Sequence, residues 1–438
     1  VTSETRRSSI AAAICILLLL LALSLQGNAP SSQRVEILRD TWGVPHVYAD
    51  TDEGAMYGLG YVTAEDRMFQ MEYSRRVVQG RIAELLGLAG SPGKTTLESD
   101  IKYRHMGTYE FLEGVATALD QETQRLLQAY TDGVNTYLRT TENLHPLFEA
   151  LGVIPEPWRP VDCLAVWNRI AVFFSPSWTG EAKLLHDYEQ LIAQGLTETE
   201  AKAALTTERV IDEAAAVVQL EDADPEFLAA LADYAEALGI DSETSIWASA
   251  EAVPTFSHAW VVGGGRTTTG SAVLHSDPQT TVRNPSVWYE AHVVGHTFDA
   301  RGIGVAGCPG FLIGWNEHVA WGATALGADL SDIFRLDLSS RTRNSYNYDG
   351  QAFPLELREE SILVSDGRPT TITVKRTHLG PVVTDLVAHA LPGEEYILRT
   401  IDQYYEDRHT VQGMLGMMRA ENAIALGEAL ADWFSPGV

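Results

Sequence analysis

Val253-Pro254-Thr255-Phe256-Ser257-His258-Ala259-Trp260-Val261-Val262 marks the point at which the chain changes character. Upstream, from Val210 to Thr255, Ala, Glu and Asp dominate, and Gly239 to Pro254 shows no clear period. That composition predicts a linker or removable spacer, with a solvated helix pair and loop as the alternative. Downstream, Trp260-Val261-Val262, Ala272-Val273-Leu274, Val287-Trp288-Tyr289 and Ile362-Leu363-Val364 are short β-type runs separated by Gly, Asn, Asp and Pro. The half that starts at Ser257 is therefore expected to be mainly β. Taken alone, a serine before a strand reads as a turn or cap residue.

The half before the junction reads differently. Val35-Glu36-Ile37-Leu38 alternates before a turn-rich stretch from Asp40 to Pro45 and predicts a strand. Thr63 with Asp66 resembles a helix cap, and Met68, Met71, Arg75, Val78, Ile82 and Leu85 recur at helical spacing until Gly87. That largely apolar stripe predicts core. Glu110 to Leu138 and Val161 to Leu191 are also helical in period, interrupted by the Pro155 to Pro160 stretch. No internal repeat of fixed period is present.

Composition narrows the function. With 45% hydrophobic and 21% charged residues the 438-residue chain is that of a globular protein. Its 59 acidic against 31 basic residues give a net charge of -28, which repels phosphate backbones and argues against a nucleic-acid partner. Arg6-Arg7 before the apolar run Ile10 to Leu25, with small residues at Gly27 and Ala29, predicts an export signal over residues 1–29, with an uncleaved membrane anchor as the alternative. Of three cysteines, Cys15 lies in that run, which leaves Cys163 and Cys308, too few for a disulfide scaffold.

Familiar catalytic signatures are missing. Ala89-Gly90-Ser91-Pro92-Gly93 falls one Gly short of a G-x-S-x-G elbow, and there is no H-E-x-x-H. Gly265-Arg266-Thr267-Thr268-Thr269-Gly270-Ser271 has the glycine spacing of a phosphate loop without its Lys, and predicts a turn between strands. The 12 histidines show no metal-ligand spacing. A Ser-His-Asp triad would have His46 or His258 to draw on, with no motif in support.

Several blocks do carry a resemblance. RDTWGVPHVYA from Arg39 and GLGYVTAEDRMFQMEYSRRVVQGRIAELLG from Gly58 are followed by SHAWVVGGG from Ser257, SDPQ from Ser276 and NPSVWYE from Asn284. PGFLIGWNEHVAWGAT from Pro309 and DLSDIF from Asp329 complete the series. In this order and spacing they resemble the penicillin acylase family of N-terminal-nucleophile hydrolases over most of residues 35 to 438.

The resemblance implies an α+β fold, the four-layer αββα sandwich, truncated here at the C-terminus. It implies a mainly helical α-chain region over 30–215, a spacer over 216–256 and the first part of the β chain over 257–438. The precursor would be cut between Phe256 and Ser257 by the Ser257 hydroxyl. The freed Ser257 would then act on amides, with the backbone N–H groups of Gln279 and Ala325 as oxyanion donors. A free α-amine, with a pKa near about 7.7–8.0, suits a general base at neutral pH. His258 stands where the family usually has Asn, which predicts an altered self-cleavage. A further oxyanion donor of the family, an Asn, would lie beyond Val438, so residues 1–438 alone are expected to be inactive.

The same resemblance points to structural Ca²⁺ held by Glu181, Asp329, Asp332 and the Ser331 carbonyl, an oxygen-only set suited to a hard cation. The alternative is carboxylates merely solvated on a loop. Phe174 matches an acyl-pocket phenylalanine, whereas Phe173 replaces the Arg of penicillin G acylases, and Thr280 and Ile313 replace phenylalanines. The expected partners are a small N-acyl substrate and the protein's own α and β chains, with a membrane only through an N-terminal anchor. The expected location is periplasmic or extracellular, with an inner-membrane anchor and the protein facing outward as the alternative, and the rival functional reading is a non-catalytic, membrane-tethered envelope binding protein.

Overall fold

The computed structural model describes residues 34–91, 94–174, 178–205, 257–280, 284–324, 330–339, 344–365, 367–387, 393–401 and 409–434. The export run, the spacer, Phe256, Ala325 and Asp329 lie outside them, as does the side chain of Glu181. Among the described residues no helix is long and apolar enough to cross a membrane.

Strands β1 (Val35–Arg39) and β2 (Pro45–Ala49) form a hairpin, as the alternation at Val35 predicts. Helix α1 (Asp52–Gln79) follows and is the spine of the molecule. It begins twelve residues before the Thr63 to Asp66 cap expected from sequence: Thr51 is the N-cap, and its hydroxyl accepts the Gly54 N–H at 3.0 Å. Thr63 is interior and donates its hydroxyl back to the Leu59 carbonyl at 2.7 Å. The helix stops at Gly80, whose φ of 63° is the left-handed conformation that closes helices, and α2 (Ile82–Leu86) resumes the stripe as a separate short piece.

Helices α3 (Thr96–Met106), α4 (Thr108–Ala118), α5 (Gln121–Thr140), α6 (Pro160–Phe174) and α7 (Trp178–Ala193) follow in the helical half, with shorter helices at Pro146–Ala150 and Glu198–Leu205. The single helical period from Glu110 to Leu138 is thus two helices, divided where the Asp120 carboxylate caps α5 by accepting from the Glu122 and Thr123 N–H groups. Helix α5 lies against α1 at two glycines: a Cβ on Gly60 would sit 2.0 Å from the Tyr130 carbonyl oxygen, and one on Gly133 would sit 2.0 Å from that of Tyr57. The backbones touch, so neither neighbour has a flexible side chain to yield. Gly133→Ala is expected to destabilise the protein by about 1–3 kcal/mol or more, read as a lower urea midpoint.

After Ser257 the chain is mainly β, as its texture predicts. Strands β3 (Ser257–Val262) and β4 (Val273–Pro278) form a hairpin, and the glycine-spaced stretch from Gly265 is the turn between them. Strands β5 (Trp288–Val294), β6 (Asp299–Val305), β7 (Ile313–Asn316) and β8 (Ala320–Trp321) join β1 and β2 in a six-stranded sheet ordered β1-β2-β5-β6-β7-β8. Only the β2 to β5 pairing is parallel, and it joins the helical segment to the later one. Strand β9 (Ser331–Arg335) pairs with β10 (Tyr396–Thr400), and two three-stranded sheets lie between them in sequence. Of the Ile362-Leu363-Val364 run only Ile362 is in a strand, the last residue of Glu356–Ile362.

The sheet packs one face on α1. Tyr289, Ala291 and Val293 of β5 and Val47 of β2 are buried against Ala55, Met56, Leu59 and Val62. The period of two sends His46, Glu290 and His292 to the opposite face. Asp52 ties the two segments again, accepting from the N–H groups of His296 and Thr297 at 2.7 and 2.8 Å. Helix α8 (Thr410–Met417) closes the far end, where the Asn316 amide donates to the Met418 and Ala420 carbonyls at 3.1 and 2.9 Å.

Candidate active site

Ser257 is the first residue of β3 and is half-buried. The register sets it opposite Pro278, so Gln279 follows directly from the position facing the serine. Because side chains alternate, Ser257, Ala259, Ser276 and Pro278 share one face of the hairpin, and His258, Trp260, His275 and Asp277 share the other. The Gln279 amide donates to Asp277 Oδ2 at 3.0 Å and lies 3.2 Å from His258 Nδ1. Trp260 stacks on His275 with ring centroids 5.0 Å apart.

The Ser257 face is roofed by the loop that follows β8. A Cβ on Gly322 would stand 2.8 Å from Ser276 Oγ and 3.6 Å from the Ala259 Cβ, and the Ala323 N–H donates to Ser276 Oγ at 3.3 Å. Gly322 and Ala323 therefore lie over the face that bears Ser257, and Ala325 comes two residues later in the chain. Ser276 is the contact that sequence reasoning missed. The S-D-P-Q block marks the position, but its partner lies 47 residues on and only the folded chain brings them together.

The triad reading has no geometric support. His258 turns to the opposite face of the hairpin from Ser257, 4.0 Å from Asp277, and His46 belongs to the six-stranded sheet with its Nδ1 against His292. Neither Cys163 nor Cys308 is a nucleophile: both are free and buried, and burial pushes the Cys163 thiol up to about 12 and that of Cys308 well above its ordinary value.

Of the acyl-pocket positions, Thr280 follows Gln279, and its Oγ1 accepts the Trp288 indole N–H at 3.0 Å, which ties the hairpin to β5. Phe174 ends α6, half-buried, in an edge-to-face contact with Phe173 at 5.0 Å. Ile313 opens β7, half-buried opposite Ile303. Ser331 and Asp332 open β9, and α7, which carries Glu181, packs along that strand with Arg335 bonded to Glu189 at 3.0 Å. Among the described residues no three His, Cys, Asp or Glu side chains converge on a metal position.

The penicillin amidase family's sequence profile matches residues 34–438. The chain is 29% identical over 425 residues to the penicillin acylase 2 proenzyme of Pseudomonas sp. (strain SE83), covering 94% of this chain and 50% of that protein. It is 29% identical over 395 residues to a penicillin G acylase of Escherichia coli, covering 81% and 46% respectively. It is 26% identical over 405 residues to an acyl-homoserine lactone acylase of Pseudomonas fluorescens (strain Pf0-1), covering 91% and 47%. The chain spans about half the length of the curated relatives it matches. The chain belongs to the penicillin amidase family.

Proposed function

We propose that the complete gene product is an exported, self-processing amidohydrolase that cleaves small N-acyl compounds through an acyl-enzyme on Ser257. The observation that carries this reading is the position of Ser257 at the head of β3, opposite Pro278, with Gly322 and Ala323 over the same face. Cleavage between Phe256 and Ser257 would free an α-amine on the residue that bears the hydroxyl. That amine, acting through a water, takes the hydroxyl proton, and Ser257 Oγ attacks the substrate carbonyl. The N–H groups of Gln279 and Ala325 would stabilise the oxyanion, the α-amine hands its proton to the leaving nitrogen as the C–N bond breaks, and water then attacks the acyl ester, releasing the acid and restoring the Ser257 hydroxyl.

Substrates of penicillin or N-acyl-homoserine lactone type are proposed from the names of the relatives. The hydroxyl of Thr280 and the aliphatic Ile313 give the proposed acyl slot a different lining from one built of phenylalanines. The four-layer sandwich is proposed on the same footing: one sheet has α1 on one face and leaves the other half-exposed, and the β3–β4 hairpin would belong to the second sheet. N-terminal sequencing of the mature protein tests the core of the reading. A new chain beginning at Ser257 is expected, and an uncut polypeptide that still hydrolyses amides would overturn it.

Calcium is proposed at the junction of α7 and β9, with Glu181, Asp329, the Ser331 carbonyl and Asp332 as oxygen donors. The packing of α7 along β9 supports it. A chelator is expected to lower the melting midpoint of the complete protein and Ca²⁺ to restore it, whereas an unchanged midpoint would remove the ion from the account.

A further inference from the structure

The pairing that joins the two segments carries two histidines that the proposed chemistry does not use. His46 on β2 and His292 on β5 are directly opposite, with Nδ1 atoms 2.9 Å apart and rings edge to face at 84°. Both lie on the sheet face away from α1, because their neighbours Val47 and Val293 are fully buried on the other side. His292 Nε2 lies 2.7 Å from Asp299 Oδ1. His46 Nε2 is buried and makes no hydrogen bond, with Asp40 Oδ2 3.7 Å away.

The remaining groups on this face are few. The Tyr48 ring meets the His292 ring edge at 5.7 Å. Arg301, opposite His292 on β6, is held by Glu290 at 2.6 Å and stands 3.9 Å from Asp40. Strand β1 sets Leu38 against His46 and the exposed Glu36 against Tyr48.

Two facing Nδ1 atoms at this distance share one proton, one ring donating and the other accepting. His292 uses Nε2–H toward Asp299, so its Nδ1 accepts and that of His46 donates. A further proton has a place on His46 Nε2, facing Asp40. The next would have to sit on His292 Nδ1, where it would point at the N–H of His46 and put two imidazolium charges in contact.

We propose that His46 and His292 form a one-proton clasp between residues 34–205 and the segment from Ser257 onward, opened when both rings become charged. The clasp needs only the fold. Its consequence after self-cleavage, easier separation of two chains in acid, rests on the functional reading above.

The test compares the complete gene product with His46→Gln, His292→Gln and the double variant. Melting midpoints are taken at about pH 7.5 and about pH 4.5, which bracket the ordinary imidazole titration near 6.5. The native protein is expected to lose at least about 2 °C more than any variant on acidification. The double variant should match the single ones, since losing either ring removes the conflict. Equal acid losses in all four proteins overturn the clasp. Hydrogen exchange at the imidazole C2 position, followed by mass spectrometry in the unmodified protein, gives an answer that does not need a foldable variant. One charged ring of the pair, not two, is expected in the folded protein, and both rings exchanging as imidazolium while the protein stays folded overturns the proposal. Running the midpoints on Ser257→Ala as well separates the two readings, because the clasp acts in an uncut chain and the cleavage does not.

Discussion

Ser257→Ala in the complete gene product is expected to leave one uncut polypeptide whose amide hydrolysis has fallen by about 10⁴- to 10⁶-fold, the range for removing one member of a hydrolase's catalytic set. The size of the effect follows from the double use of one residue. Its hydroxyl would cut the bond to Phe256, and the amine so released would be the base for turnover, so the substitution removes nucleophile and base together. Ser257→Cys separates the two roles, since a thiol keeps a nucleophile at the same point of β3 and should still cut its own chain at an altered rate. A denaturing gel and hydrolysis of aryl-acetyl and fatty-acyl amides provide the readout. Two chains and undiminished turnover from the alanine variant would refute the assignment. The fold itself should be unaffected, because Ser257 is half-buried at the end of a hairpin and nothing in the core leans on its hydroxyl.

How much of this could be read from sequence differs from residue to residue. The β1 strand follows from simple alternation, and the turn between β3 and β4 follows from its glycines without the Lys of a phosphate loop. The start of α1 does not, because Gly54, Gly58 and Gly60 depress helix propensity over its first turns, and the later Thr63 to Asp66 pattern imitates a cap. The reason for Gly60 is tertiary: the Tyr130 carbonyl occupies the space a side chain would need. Asp66 is not a capping partner: it accepts from Arg39 and, across the junction of the two segments, from the Tyr289 hydroxyl at 2.8 Å. Ser257 was visible only through the ordered blocks around it, since an isolated serine before a strand carries no signal of its own. The Ser276 to Ala323 bond was beyond any local pattern.

Glu72→Ala is expected to cost about 3–5 kcal/mol, the range for removing one partner of a buried ion pair. Arg75 looks like one more member of an apolar helical stripe, yet it is 2% exposed and both terminal nitrogens of its guanidinium are engaged. It pairs with Glu72, lies 3.2 Å from Asp162 Oδ2, donates to the Pro157 and Glu156 carbonyls at 3.0 and 2.7 Å, and stacks over the Trp158 ring. Glu72, with no exposed surface, also holds Arg76 Nε at 2.6 Å. Two arginines and two carboxylates thus balance inside the helical half, with Tyr109 donating its hydroxyl to Asp162 at 2.7 Å and Glu84 meeting Arg76 near the surface. Deleting Glu72 leaves Arg75 to Asp162 and Arg76 to Glu84 alone, and burial already pushes the Asp162 carboxyl up against the pull of Arg75. Glu72→Gln should cost less, because the amide oxygen still accepts one guanidinium bond. A urea series on both variants tests this ordering: a Gln variant as damaged as the Ala variant would mean that charge alone sets the cost, and an Ala variant within about 1 kcal/mol of the parent would mean that water reaches the arginines.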